Sequence, residues 1–126
     1  MTQPLRLGIA GLGTVGMGVV KIIQQKAEIL AIRGGQEVVI SAVSARSKDK
    51  DRVFDLSAYA WEDDPVSLAT RDDVDIFIEL IGGSEGPALA ATQAAIAAGK
   101  DVITANKAML AVHGQALAQA AEDKQK

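Results

Sequence analysis

The residues of this 126-residue sequence with the sharpest chemical meaning are three glycines spaced Gly11-x-Gly13-x-x-Gly16. Where a strand turns into a helix, the first such glycine permits the tight turn and the second lets backbone approach a pyrophosphate. The third lets helix and strand pack closely. Unpaired N–H groups at the helix start, with the positive end of its dipole, then hold the anion. A glycine-rich turn also occurs for structural reasons alone. What favours dinucleotide binding is the context: a strand before, a helix after, and a second strand about 20 residues on. The loop lacks the Lys-Ser or Lys-Thr ending of a P-loop, which argues against a nucleoside triphosphatase.

Other polar groups cluster where strands are expected to end. An NAD-selective site usually places an acid after the second strand, to accept hydrogen bonds from the ribose 2′-hydroxyl. Here that strand runs into Val43-Ser44-Ala45-Arg46-Ser47-Lys48, with no acid before Asp49. Arg46 and Lys48 would attract a 2′-phosphate, Ser44 and Ser47 would donate hydrogen bonds to it, and the Arg46 guanidinium would also stack on adenine. This pattern favours NADP with NAD tolerated; a merely solvated basic loop is the other reading. Further on, Gly82-Gly83-Ser84 offers small residues against which a ribose or nicotinamide could lie, and Glu79 stands inside an otherwise apolar run. A buried carboxylate without partners is costly, so Glu79 faces a cleft, accepts from neighbouring backbone, or lies near solvent at the strand end. In Thr104-Ala105-Asn106-Lys107, Asn106 suits a helix N-cap. Lys107, a cation at a helix N-terminus, opposes the dipole, which suggests a compensating anion or a catalytic duty. An ordinary surface lysine is the other reading. His113 and Trp61 read as packing or surface residues.

The elements that must position these groups follow from hydrophobic periodicity. Leu5 to Ala10 reads as a strand. A helix follows, with apolar residues at Val15, Val19, Ile22, Ile23, Ile29 and Leu30, closed by Arg33-Gly34-Gly35. Val38 to Val43 is a β-branched second strand, and Ser44 to Asp55 a loop or weak helix. Asp63-Asp64-Pro65 starts a short helix through Ala69. Asp75 to Ile81 is a nearly continuous apolar strand, as expected of one covered on both faces. Ser84 to Ala98 is alanine-rich and helical, Asp101 to Thr104 is another strand, and Asn106 to Asp123 a last helix before a polar, frayed end. Alternating strands and helices predict an α/β, Rossmann-like, doubly wound parallel sheet with helices on both faces.

Composition narrows the function classes. An apolar fraction of 48% excludes general disorder. With 13 basic and 16 acidic residues, the chain carries no footprint for nucleic acid or an anionic membrane. There are no cysteines and one histidine, so thiol nucleophiles and disulfides are excluded and no metal site is expected. The glycine spacing in 7–20 fits a strand and helix better than a signal peptide, and no apolar run is long enough for a membrane span. The expected location is cytoplasmic.

The segments Gly11-Leu-Gly-Thr-Val-Gly16, Glu79-Leu-Ile-Gly-Gly83 and Gly99-Lys-Asp-Val-Ile-Thr-Ala-Asn-Lys-Ala108, followed by His113-Gly114, resemble the N-terminal domain of homoserine dehydrogenase along essentially the whole chain. The most specific of them is Thr104-Ala105-Asn106-Lys107. The resemblance implies an NAD(P)-dependent oxidoreductase interconverting L-homoserine and L-aspartate 4-semialdehyde, in the biosynthesis of threonine, methionine and isoleucine. By position it assigns Gly11, Gly13, Thr14, Val15 and Gly16 to the pyrophosphate loop and Arg46 to the 2′-phosphate. Gly82, Gly83, Thr104 and Asn106 would border the nicotinamide half, and Lys107 would line the catalytic cleft, assisting substrate handling or proton transfer. Family members are several times longer and form homodimers through a further domain that supplies the substrate-binding surface. Residues 1–126 are therefore expected to be one truncated NAD(P)-binding domain that binds cofactor without completing catalysis, because hydride transfer needs the substrate held at near-contact distance. Two rivals remain. An oxidoreductase like glucose-fructose oxidoreductase typically carries Glu-Lys-Pro where this chain has Ala105-Asn106-Lys107-Ala108. A non-enzymatic NAD(H)-sensing module would carry a DNA-binding or interaction segment, and none is visible.

Overall fold

The computed structural model describes residues 4–12, 16–25, 38–45, 59–81, 83, 85–104 and 106–124. Five strands are β1 (Leu5–Ala10), β2 (Val38–Ser44), β3 (Ala60–Trp61), β4 (Ile76–Glu79) and β5 (Asp101–Thr104). Helix α1 is described over residues 16–25, followed by α2 (Pro65–Ala69), α3 (Pro87–Ala97) and α4 (Lys107–Asp123). The strands form one sheet in the order β3-β2-β1-β4-β5, and every pairing is parallel. The chain builds outward from β1 to β3, then crosses to β4 on the other side of β1. The switch point expected of a doubly wound sheet thus lies between β1 and β4.

Two apolar layers cover the sheet. On one face Leu7 and Ile9 of β1, Val43 of β2 and Ile78 of β4 meet Val20 and Ile23 of α1. On the other, Ala10, Ala42 and Phe77 meet Leu68 and Ala69 of α2 and Ala91 and Ala95 of α3. Alternate residues of β1 and β4 serve opposite layers, as the period-two geometry of a strand requires. The alanines of α3 are small enough to bring that helix close to the sheet, and Ala88 joins Ile96, Met109 and Leu117 in a third cluster that seats α4. Parallel strands covered on both faces explain the apolar runs in β1 and β4.

Local chemistry sets the boundaries. Asp64 caps α2, its Oδ1 accepting from the Val66 N–H at 3.0 Å, with Pro65 at the first turn as expected. Helix α3 starts later than the alanine pattern suggests: Pro87 occupies its first turn and Gly86 precedes it at φ 78°, so regular helix begins only there. The two-residue strand β3 was not foreseen; it pairs Ala60 and Trp61 with Ala42 and Val43. At the start of β1 and β4, Arg6 binds Asp75 through both guanidinium branches at 2.9 and 3.0 Å, which holds the Asp75 carboxyl below the usual aspartate range. The Lys100 ammonium, just before β5, donates to the carbonyls of Arg71 and Val74 at the same end of the sheet. No helix among the described residues is long and apolar enough to cross a membrane.

Candidate functional site

The chemistry-bearing residues meet at the opposite end, where β1, β4 and β5 finish. Gly11 leaves β1 at φ 101°, a backbone conformation that L side chains rarely adopt. Its N–H donates to the Ser44 carbonyl at 2.8 Å, tying the turn to the end of β2. A Cβ at Gly11 would lie 2.5 Å from the Leu80 carbonyl oxygen, and one at Gly16 only 1.9 Å from the Gly11 carbonyl oxygen. Glycine is therefore demanded at both positions by backbone on backbone. The start of α1 sits directly against the end of β1, at the switch point.

The ends of β4 and β5 are joined by a polar network. Glu79 is fully buried. Its Oε2 accepts from the Ile81 N–H at 2.7 Å, and its Oε1 accepts from the Thr104 hydroxyl at 2.6 Å. Of the three readings left open for this acid, acceptance from neighbouring backbone is the one observed. The Thr104 Oγ1 in turn accepts from the Asn106 N–H at 3.0 Å. Asn106 is buried and caps α4, its Oδ1 accepting from the Met109 N–H at 3.0 Å, while its Nδ2 donates to the Gly83 carbonyl at 2.6 Å. Gly83 itself is exposed, at φ 86°. One chain of hydrogen bonds thus links β4, the turn after it, β5 and the first turn of α4.

Lys107 is the first residue of α4 and is exposed, beside the buried Asn106 cap. His113 lies on the same helix and is half-buried, its Nε2 2.7 Å from Glu85 Oε1 in the segment before α3. Trp61 is half-buried at the edge of the first core layer, with Nε1 donating to Asp63 at 3.0 Å. Gly11, Gly16, Gly83, Thr104, Asn106 and Lys107 therefore gather at the strand ends near the switch point, the usual location of ligands in open parallel sheets. Gly13, Thr14, Val15, Arg46, Ser47, Lys48 and Gly82, together with Ile29, Leu30, Ser84 and the 33–35 segment, lie outside the described residues. The coupling of Glu79 to Thr104 went unread in the sequence. Its only signal there is that each is a polar residue near the end of a strand.

Comparison with known proteins agrees with this architecture. The family described as "Homoserine dehydrogenase, NAD binding domain" matches residues 11–126. A homoserine dehydrogenase of Neisseria gonorrhoeae is 42% identical over 120 residues, covering 95% of this chain and 27% of that protein. The crystal structure of the Staphylococcus aureus homoserine dehydrogenase at pH 7.5 superposes with a TM-score of 0.89 at 35% identity, over 98% of this chain and 31% of its own. That of Thiobacillus denitrificans gives a TM-score of 0.87 at 35% identity, over 97% of this chain and 28% of its own. The chain thus spans a little over a quarter of the length of the curated relatives it matches.

Proposed function

The chain belongs to the homoserine dehydrogenase family, as its NAD-binding domain, and from that premise we propose that residues 1–126 form one dinucleotide-binding domain that prefers NADP and accepts NAD. The observation that carries this is the approach of Gly16 to the Gly11 carbonyl, which sets the start of a helix against the end of the central strand. The N–H groups of the first turn of α1, which have no partner within the helix, would hold the pyrophosphate. Gly13, Thr14 and Val15 belong to that loop by position. Arg46, with Ser47 and Lys48, would neutralise the 2′-phosphate, since a guanidinium binds phosphate oxygens through two parallel N–H groups. Gly82, Gly83, Thr104 and Asn106 would border the nicotinamide half.

When bound, the cofactor supplies or takes up a hydride. The residues of this chain would position it. The hydrogen bonds from Glu79 through Thr104 and Asn106 to Gly83 hold the turn after β4 against the start of α4, so the floor beneath the nicotinamide half is rigid. Lys107, exposed beside that floor, would act on substrate, by holding it or by moving a proton to or from its oxygen. The whole protein's reaction, interconversion of L-homoserine and L-aspartate 4-semialdehyde, is part of the same proposal, as are its place in amino-acid biosynthesis, a homodimeric assembly and a cytoplasmic location. All of these rest on the family.

Calorimetric titration with NADPH and NADH in parallel, repeated with Arg46→Ala, tests the reading. NADPH is expected to bind more tightly, and R46A to weaken NADPH by roughly 10- to 100-fold, the worth of a charge-assisted pair, while leaving NADH nearly unchanged. Equal affinities in the wild type would remove the NADP preference. Binding of neither would remove the domain's assigned role.

A further inference from the structure

Asn106 and His113 stand seven residues apart on α4, two turns along one face of the helix. Both reach the stretch between β4 and α3. Asn106 Nδ2 donates to the Gly83 carbonyl at 2.6 Å. His113 Nε2 donates to Glu85 Oε1 at 2.7 Å, the direction an ionised carboxylate requires. Gly83, Glu85, Gly86 and Pro87 are all exposed, so burial in the core does not set the path of this stretch. Its backbone passes through the left-handed region at Gly83 (φ 86°) and again at Gly86 (φ 78°), with nothing within 4 Å of a Cβ placed on Gly86. Among the described residues, the two bonds from α4 are the side-chain links that hold it. The charges around His113 single out Glu85 as its partner. Its neighbours one turn away on α4, namely Met109, Leu110, Ala116 and Leu117, are uncharged, and α3, which packs beside α4, carries no charged residue.

On the dinucleotide reading proposed above, on which this inference rests, the stretch from Gly83 borders the nicotinamide half of the cofactor. We propose that His113 is a positioning residue of the cofactor site. Its bond to Glu85, with the Asn106 bond to Gly83, fixes this stretch against α4 in the shape that receives the nicotinamide half. The effect is local. The adenine half would lie at the β2 end of the site, two strands from β4 and roughly 10 Å away. Because the pair is partly exposed to solvent, its loss is worth about two- to fivefold in a binding constant.

The test is calorimetry with NADPH and with adenosine 2′,5′-bisphosphate, which carries the adenine half and the 2′-phosphate alone. The proteins are the wild-type chain, H113A, H113Q, E85A and the double variant H113A/E85A. H113A and E85A are each expected to weaken NADPH about two- to fivefold and to leave the bisphosphate unchanged. The double variant is expected to weaken NADPH no more than either single change, because both remove the same bond. H113Q, whose amide nitrogen reaches the place of the ring Nε2, is expected to restore most of the wild-type affinity. Should H113A fail to fold, E85A against E85Q, which keeps an acceptor oxygen, makes the same comparison from the exposed side of the pair. Weakening of both ligands by H113A, or additive losses in the double variant, would mean that His113 serves the helix alone and overturns this inference. NADPH affinity unmoved by H113A and E85A, in a wild type that binds it, also overturns it and leaves the cofactor reading intact. A wild type that does not bind NADPH overturns both.

Discussion

Gly16→Ala is expected to abolish measurable dinucleotide binding and to cost the fold more than about 3 kcal/mol, the upper range for forcing atoms into a filled site. The added Cβ would stand 1.9 Å from the Gly11 carbonyl oxygen and 2.9 Å from its carbon. Neither is the tip of a flexible side chain, so backbone must move. The Gly11 N–H is bonded to the Ser44 carbonyl at 2.8 Å, and the site of a Gly11 Cβ lies 2.5 Å from the Leu80 carbonyl oxygen, so the turn has little room to retreat. Lifting α1 off β1 instead would carry its N-terminal N–H groups away from the anion they are proposed to hold. Gly18→Ala is the matched control. It lies in the same helix with nothing within 4 Å of its Cβ position, and alanine there should add up to about 1 kcal/mol through helix propensity. Denaturant unfolding and NADPH calorimetry on the two variants read both effects. A G16A chain that binds within about twofold of wild type would contradict the pyrophosphate assignment.

Phe77→Ala is expected to destabilise the chain by about 3–5 kcal/mol and to lower Tm by roughly 10–20 °C, a large part of the 5–15 kcal/mol typical of a domain. Phe77 is fully buried in β4, between β1 and β5, facing Leu68 and the alanines of α2 and α3. Alanine neighbours have no long side chains with which to collapse into the space left behind, which puts the cost toward the upper end. Phe77→Leu, keeping most of the volume, should cost under about 2 kcal/mol. Because Phe77 and Glu79 point to the same face of β4, the loss is expected to loosen the strand end that carries the polar network. Thermal unfolding followed by circular dichroism gives the comparison, and a cost for F77A below about 1 kcal/mol would contradict the assigned packing.

How much of this was legible in the sequence differs from element to element. Strand β1, the Asp64 cap of α2, and the Asn106 cap of α4 follow from local rules about apolar runs and side-chain oxygens at helix starts, and each is found where those rules place it. The requirement for glycine at 11 and 16 was also readable, because it arises within six residues of chain. Strand β3 was not: two residues carry no alternation, and they extend only because the edge of β2 offers a partner. Alanine content alone suggests an earlier start for α3 than the structure has, and Pro87 is the residue that marks its first turn. Glu79 was recognised as an anomaly, but its partner could not be read. The bond to Thr104 exists because β4 and β5 pair in register, Glu79 opposite Thr104, and register between strands 25 residues apart depends on the packed sheet.

The central claim, that a dinucleotide binds at the C-terminal ends of the strands around the switch point, is tested most directly by following backbone amide resonances of the 15N-labelled chain during titration with NADP+. The account predicts saturable shifts concentrated at Gly11, Gly16, Gly83, Thr104, Asn106 and Lys107, with Arg6, Asp75 and Lys100 at the other end of the sheet unmoved. Shifts confined to that other end, or none that saturate, would contradict it.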